Sequence, residues 1–193
     1  MIIQTGFFEG PTPLKIGQYF EGGYVAYLTG SFPNQSGFVV SQTWVTPISP
    51  NLGYQWGVSG NDVAGASGSA IGTGKINTQY IVDYYNGTGI YSAASASQVF
   101  TSDGYSGWYL PSVDEMAQVC SVKDQLKYAY WDSSRYSWTS TQYSTSFAYW
   151  YDIRTGATCG SGRITFGKTS YLNLRPIRNF VYNGNNVYQS PQI

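Results

Sequence analysis

The run Gly107-Trp108-Tyr109-Leu110-Pro111-Ser112-Val113-Asp114-Glu115-Met116 fixes one junction of the fold almost to the residue. Trp108 to Leu110 reads as a strand. Pro111 stops it, because proline has no N–H to give and holds the preceding residue in extended backbone. Ser112 and Glu115 stand at the spacing of a capping box: the hydroxyl accepts from the Glu115 amide while the carboxylate reaches back to the Ser112 amide. Asp114 adds negative charge at the positive end of the new helix. Met116, Val119 and Cys120 then form an inward stripe that continues to Leu126. A strand-to-helix junction therefore sits in mid-chain, and its flanks decide the class.

Both flanks carry strand signals. Upstream are Gly17-Gln18-Tyr19-Phe20, a turn at Gly22-Gly23, Tyr24 to Leu28, Phe38-Val39-Val40 and Thr43-Trp44-Val45. Residues 46–75, rich in Gly, Pro, Asn and Ser, predict a long loop. Two short helices are expected next. Thr78 to Tyr85 has Asn77 as its N-cap and Ile81, Val82 and Tyr85 on one face. Ser92 to Phe100 turns Val99 and Phe100 to the core before Gly104 ends it. Downstream, Ser137 to Ser140, Phe147 to Ile153, Arg163 to Phe166 and Tyr171 to Leu174 read as strands. Arg154-Thr155-Gly156 makes a hairpin connection, and Pro176 puts the last strand at an edge or ends it. This order predicts an α+β domain of short antiparallel strands, two or three helices and long loops. Its expected span is 16–180, with an N-terminal arm at 1–15 and a polar tail at 181–193.

Composition removes several functions. The chain has ten basic and ten acidic residues, zero formal net charge and no histidine. Without a basic stripe it cannot neutralise nucleic-acid phosphates, and without clustered Lys or Arg it lacks a membrane-surface helix. The absence of imidazole eliminates Ser-His-Asp and Cys-His catalysis and histidine-ligated zinc. Neither a metal nor a cofactor is expected. In place of charge stand nineteen Tyr and six Trp with abundant Gly, Ser and Asn. That mixture suits adaptable contact surfaces, and equally the half-buried faces of a β-rich fold. The start, Met1 to Phe8 before Glu9 and Pro11, has no secretory-signal pattern, so folding in a cytoplasm is the expectation. Cys120 and Cys159 then default to reduced thiols, with a single bridge as the alternative.

A family resemblance joins these pieces. Ile16-Gly17-Gln18 with Glu21 to Tyr27, Gln55-Trp56-Gly57, Ile71-Gly72-Thr73-Gly74 with Asn77-Thr78, and Gly104 to Ser112 with Asp114-Glu115 occur in order. Trp138-Thr139-Ser140-Thr141, Ala148-Tyr149-Trp150-Tyr151 and Leu174 to Phe180 follow. Over roughly 16–180 this pattern resembles domains similar to the C-terminal domain of the Legionella collagen-like protein. The resemblance implies a C-type-lectin-like fold, which occurs in bacterial surface adhesins and phage tail proteins and is shared with formylglycine-generating enzymes. The enzyme branch needs reactive or copper-binding cysteines, a role that a helix Cys120 and a loop Cys159 do not support. The calcium-dependent lectin branch uses Glu-Pro-Asn or Gln-Pro-Asp with Trp-Asn-Asp, and neither is present.

Trp108, Trp138 and Trp150 fall in apolar strand patterns and are expected in the core. Arg175 and Arg178 suit the fixing of backbone and carboxylates, and Asp114 and Glu115 are explained by the helix start. The candidate ligand-binding residues lie between these landmarks, on connections a scaffold would present: Tyr130, Trp131, Asp132, Arg135 and Tyr136, followed by Gln142 and Tyr143. Core closure beneath a long connection is the competing role for Tyr130 and Trp131. Phe7 and Phe8 are candidate docking anchors. The expected function is that of a non-enzymatic bacteriophage virion protein: a head fibre, capsid decoration or tail-associated component on the virion surface. It would contact other virion proteins and a host-surface glycan or protein. A homotrimer enters only by analogy with fibres. A bacterial cell-surface adhesin domain is the alternative.

Overall fold

The computed structural model describes residues 11–45, 53–126, 136–153, 159 and 163–184. In chain order these form β1 (Tyr19–Phe20), β2 (Gly23–Ser31), β3 (Asn34–Ser41), β4 (Tyr54–Gln55), α1 (Gly74–Tyr85), α2 (Ala93–Val99) and α3 (Val113–Val122). A 3-10 turn (Lys123–Gln125) follows, then β5 (Tyr136–Gln142), β6 (Phe147–Asp152), β7 (Ile164–Gly167), β8 (Tyr171–Leu172) and β9 (Ile177–Tyr182). Three antiparallel sheets have the orders β1-β2-β3-β9, β4-β8 and β5-β6-β7. The chain is a mixed α+β protein, as its alternating signals predict.

The capping box forms as expected: Ser112 Oγ accepts from the Glu115 amide at 3.2 Å, and Glu115 Oε2 accepts from the Ser112 amide at 2.7 Å. The start of α1 differs from the prediction. The helix begins at Gly74, and Asn77 lies inside it, fully buried, donating from Nδ2 to Gly68 O and Ser140 Oγ. The cause is tertiary. Where α1 begins it passes so close to the start of α3 that a Cβ on Gly74 would lie 2.1 Å from Glu115 Oε2. In α2 the buried residues are Ala93, Ala94, Ala96 and Ser97, and Val99 is 68% exposed instead of facing the core.

Two expected strands are not extended ladders. Thr43 to Val45 is irregular, with Ser41 Oγ donating to Thr43 O and Trp44 lying under the Arg175 guanidinium. Trp108 to Leu110 contributes only the bridge Tyr109↔Ile177. Conversely, β9 is a full strand paired along β3 from Ile177 to Tyr182, beyond Pro176. At the other end Leu14 is buried and exchanges two hydrogen bonds with the Gln35 amide. The packed unit therefore includes residues 14 and 182, two beyond each end of the expected span.

The sheet β5-β6-β7 divides the apolar interior. On one side Tyr151 and Ile153 join Met116, Val119 and Cys120 of α3 and the inner faces of β2 and β3. On the other, Trp138 and Ala148 join Ile81 and Tyr85 of α1, the alanines of α2 and Trp56. Trp138 is fully buried and donates from Nε1 to Tyr54 O. Cys120 of α3 and Cys159, in the connection from β6 to β7, are joined as a disulfide with Cα atoms 5.6 Å apart. Of the two alternatives for the thiols, the bridge is the one formed.

Candidate recognition surface

The register of β5, β6 and β7 assigns each side chain to a face, since cross-strand partners share one and successive residues alternate. Ala148 opposes Gln142 and Phe166, and Trp150 opposes Trp138 and Ile164. These residues occupy the face toward α1. Phe147, Tyr149 and Tyr151 take the other face, toward α3, together with Thr165. Tyr151 is buried there, whereas Phe147 at the far end is 45% exposed. Just before it, Tyr143 is 59% exposed and its ring meets Tyr149 edge to face at 5.4 Å. Three aromatic rings thus line the open end of this face.

The turn that carries Tyr143 is held on several sides. Tyr143 N and Ser144 N donate to Phe147 O, and Ser144 Oγ accepts from Phe147 N. Thr145 O accepts from Gly60 N, and Ser146 O accepts from Lys168 N. A charged pair stands on the same side of the sheet: Arg163, just before β7, donates to Asp114 in the first turn of α3 at 2.5 Å. The Arg163 side chain is 60% exposed, so the pair adds little stability by itself; the register sets it level with the buried Tyr151, at the other end of the strand from Phe147. Rigid aromatic area on a fixed turn is chemistry for holding sugar rings or an apolar protein surface.

The predicted site residues separate in space. Tyr143 is at this surface. Tyr136, at the other end of β5, packs edge to face on Trp150 at 4.6 Å and so lies on the opposite face of the sheet. The two ends of that strand are about 20 Å apart. Gln142 is only 8% exposed, and its amide is engaged as an internal cross-link. Its Oε1 accepts from Val63 N at 2.9 Å and Lys168 Nζ at 2.6 Å, and its Nε2 donates to Asp62 Oδ1 at 2.6 Å. Strand alternation turns position 142 inward, where a side-chain amide satisfies the buried Lys168. Tyr130, Trp131, Asp132, Arg135, Phe7 and Phe8 lie outside the described residues. Phe147 and Tyr149 are the surface residues that the sequence pattern did not single out. The alternation Phe147-Tyr149-Tyr151 was the available signal, but it resembles a wholly buried strand until the exposed end of the sheet is known.

The charged groups most altered by the fold are built into the interior. Lys168 is fully buried; besides Gln142 it donates to Asn61 O and stands 4.6 Å from the Trp56 ring centroid. Burial pulls its pKa down to about 8, with Asp62 opposing. Arg175, also fully buried, donates to Ser41 O and Gln42 O and is pulled down to about 9 by burial. Burial pushes the Glu115 carboxyl up, against hydrogen bonds from Ser112 and Gly72 that hold it down. Arg178 bonds Glu21 and Ser106 O, as a structural arginine should. Among the described residues no group of three His, Cys, Asp or Glu could hold a metal ion, and no helix is long and apolar enough to cross a membrane. Neither a protein-family model nor a curated protein matches the chain.

Proposed function

We propose that this chain is a non-enzymatic recognition module of C-type-lectin-like fold. It is carried on a bacteriophage virion as a head fibre, capsid decoration or tail-associated protein, and it meets a host-surface glycan or protein through the open end of β5-β6-β7. The observation that carries this reading is the pair of exposed rings, Tyr143 and Phe147, at a turn fixed by hydrogen bonds, with the half-buried Tyr149 packed edge to face on Tyr143. Preorganised aromatics lose little freedom on binding. The fold assignment is supported by the sharing of one sheet by early and late strands, β1 and β9, which form its two edges with β2 and β3 between them. The absence of enzymatic activity is supported by Glu115, Lys168 and Arg175, which are committed to internal hydrogen bonds away from any open surface.

The Cys120–Cys159 bridge favours one second reading, a bacterial cell-surface adhesin domain, since disulfides persist in oxidising surroundings. Immunogold localisation on purified particles separates the two. Binding of the purified chain to a glycan array and to whole host cells tests the surface. Tyr143→Ala and Phe147→Ala should each weaken binding about thirtyfold, as loss of an aromatic anchor worth about 2 kcal/mol does. Binding unchanged in both variants would remove this surface from the proposal. Turnover of a substrate would remove the non-enzymatic reading.

A further inference from the structure

The outward face of α1 carries a second unused surface. Gly74, Asn77, Thr78, Ile81 and Tyr85 point inward and are buried. That leaves Ile76, 49% exposed, and Tyr80 and Tyr84, each 42% exposed, in one row at four-residue spacing. Lys75, Gln79 and Asp83 form a parallel exposed row beside them. Residues four apart lie along the same side of a helix, so both rows run its length. A helix normally turns its polar side to water; this one presents an isoleucine and two tyrosines in line, the mark of an interaction face.

The face is complementary to itself. A cation stands at its N-terminal end, a carboxylate at its C-terminal end and an amide midway, with apolar residues alongside. We propose that a second copy of this chain docks here, with the two α1 helices antiparallel about a two-fold axis passing between Gln79 and Tyr80. Lys75 of each copy then faces Asp83 of the other, Ile76 packs on Tyr84, and Gln79 and Tyr80 each meet their own equivalents. Lys75 and Asp83 are about 12 Å apart along the helix, so two ion pairs bracket the two Gln79 amides, with the Ile76, Tyr80 and Tyr84 rows packed alongside. A parallel arrangement would set like charges opposite each other. A two-fold contact needs one patch that complements itself, and an unlike partner would give no reason for both charges to sit on one helix.

Tyr80 is already positioned for this contact. Its ring lies over Gly65, where a Cβ would come within 2.6 Å of it, and Gly65 has φ +90°. Within the polar row, Gln79 Nε2 donates to Asp83 Oδ1 at 2.7 Å, holding the carboxylate along the helix, and Gln79 Oε1 accepts from Gln98 Nε2 of α2 at 3.0 Å, so the amide is fixed at both ends and meets its equivalent by packing.

Sedimentation velocity and light scattering on the full chain, across its soluble concentration range, test the proposal. A concentration-dependent dimer is expected. Lys75→Glu and Asp83→Lys should each weaken it about tenfold through like-charge contacts, while the double exchange Lys75→Glu/Asp83→Lys restores it. Because both side chains are exposed, these variants keep the fold, which circular dichroism verifies. Tyr80→Glu, which puts two carboxylates at the axis, should abolish the dimer. A chain that is monomeric at its highest soluble concentration overturns the proposal. So does an oligomer that ignores these substitutions, or a double exchange that fails to recover association.

Discussion

Breaking the Cys120–Cys159 bridge should cost about a third of the stability of a typical domain, and the size follows from the length of chain it closes. The two cysteines are 39 residues apart, and the closed segment contains β5 and β6. In the chain-entropy picture, a loop of that length removes about 13 cal/mol/K from the unfolded ensemble, or about 4 kcal/mol at room temperature. The unfolding entropy of a chain of 193 residues is about 0.4 kcal/mol/K near its midpoint, so Tm should fall by about 10 °C. The comparison should be the native sequence refolded with and without reductant, with free thiols verified by alkylation and mass. Replacing Cys120 by Ala would confound the result, since the sulfur is buried and its removal leaves a void. Urea unfolding of both forms gives a second measure of the same difference. A fully reduced protein melting within about 2 °C of the oxidised one would refute the reasoning, because the cross-link would then place no constraint on the unfolded chain.

Other consequences can be checked on the same protein. Glu115→Gln should destabilise it by about 2 kcal/mol: N–H donors reach both carboxylate oxygens, from Gly72 and from Ser112, and a Gln amide would turn an NH2 toward one of them. Chemical denaturation measures this, and a variant as stable as the native chain would contradict it. Lys168 has a folded pKa of about 8 against an ordinary 10.5. The unfolded state therefore binds more protons between those values, and the lysine's contribution to stability improves as pH rises through that window. Subtracting the pH dependence of Lys168→Met from that of the native chain should isolate this rise, and a flat or falling difference would contradict the buried network. Tyr143→Ala and Phe147→Ala should leave Tm within about 2 °C of the native value, since exposed substitutions change little; a large loss would make these rings structural.

What the sequence disclosed was what short-range chemistry decides. The capping box at Ser112 and Glu115 is closed by residues three apart, so it is written in the chain. The strands from β5 to β7 follow from alternation and turn residues. The start of α1 was hidden because it depends on Gly74 fitting beside Glu115, a contact across more than forty positions that no local pattern encodes. Asn77 imitated a cap because polar residues are found both at helix ends and at buried hydrogen-bonding posts. β9 was obscured by Pro176, which does not interrupt the ladder: its carbonyl accepts from Ser41 N, and the strand begins at the next residue. The site was partly legible. Tyr143 was named for its place after a strand, but the adjacent Gln142 points to the other side of the sheet. One position along a strand exchanges solvent for core.

The two surfaces bear on each other through that same sheet. α1 packs on the side of β5 that holds Trp138, whereas Tyr143, Phe147 and Tyr149 belong to the side facing α3. A dimer formed through the outer face of α1 would therefore leave both aromatic clusters uncovered, and each assembly would carry two of them. A multivalent host surface would then bind the dimer more tightly than either site alone, by about a hundredfold or more where the spacing allows both to engage. Lys75→Glu touches neither cluster, so it should leave binding to a soluble monovalent glycan unchanged while weakening attachment to cells. Equal losses in both assays would mean that α1 contributes to the binding site itself, and a loss in neither would mean that attachment does not use the dimer.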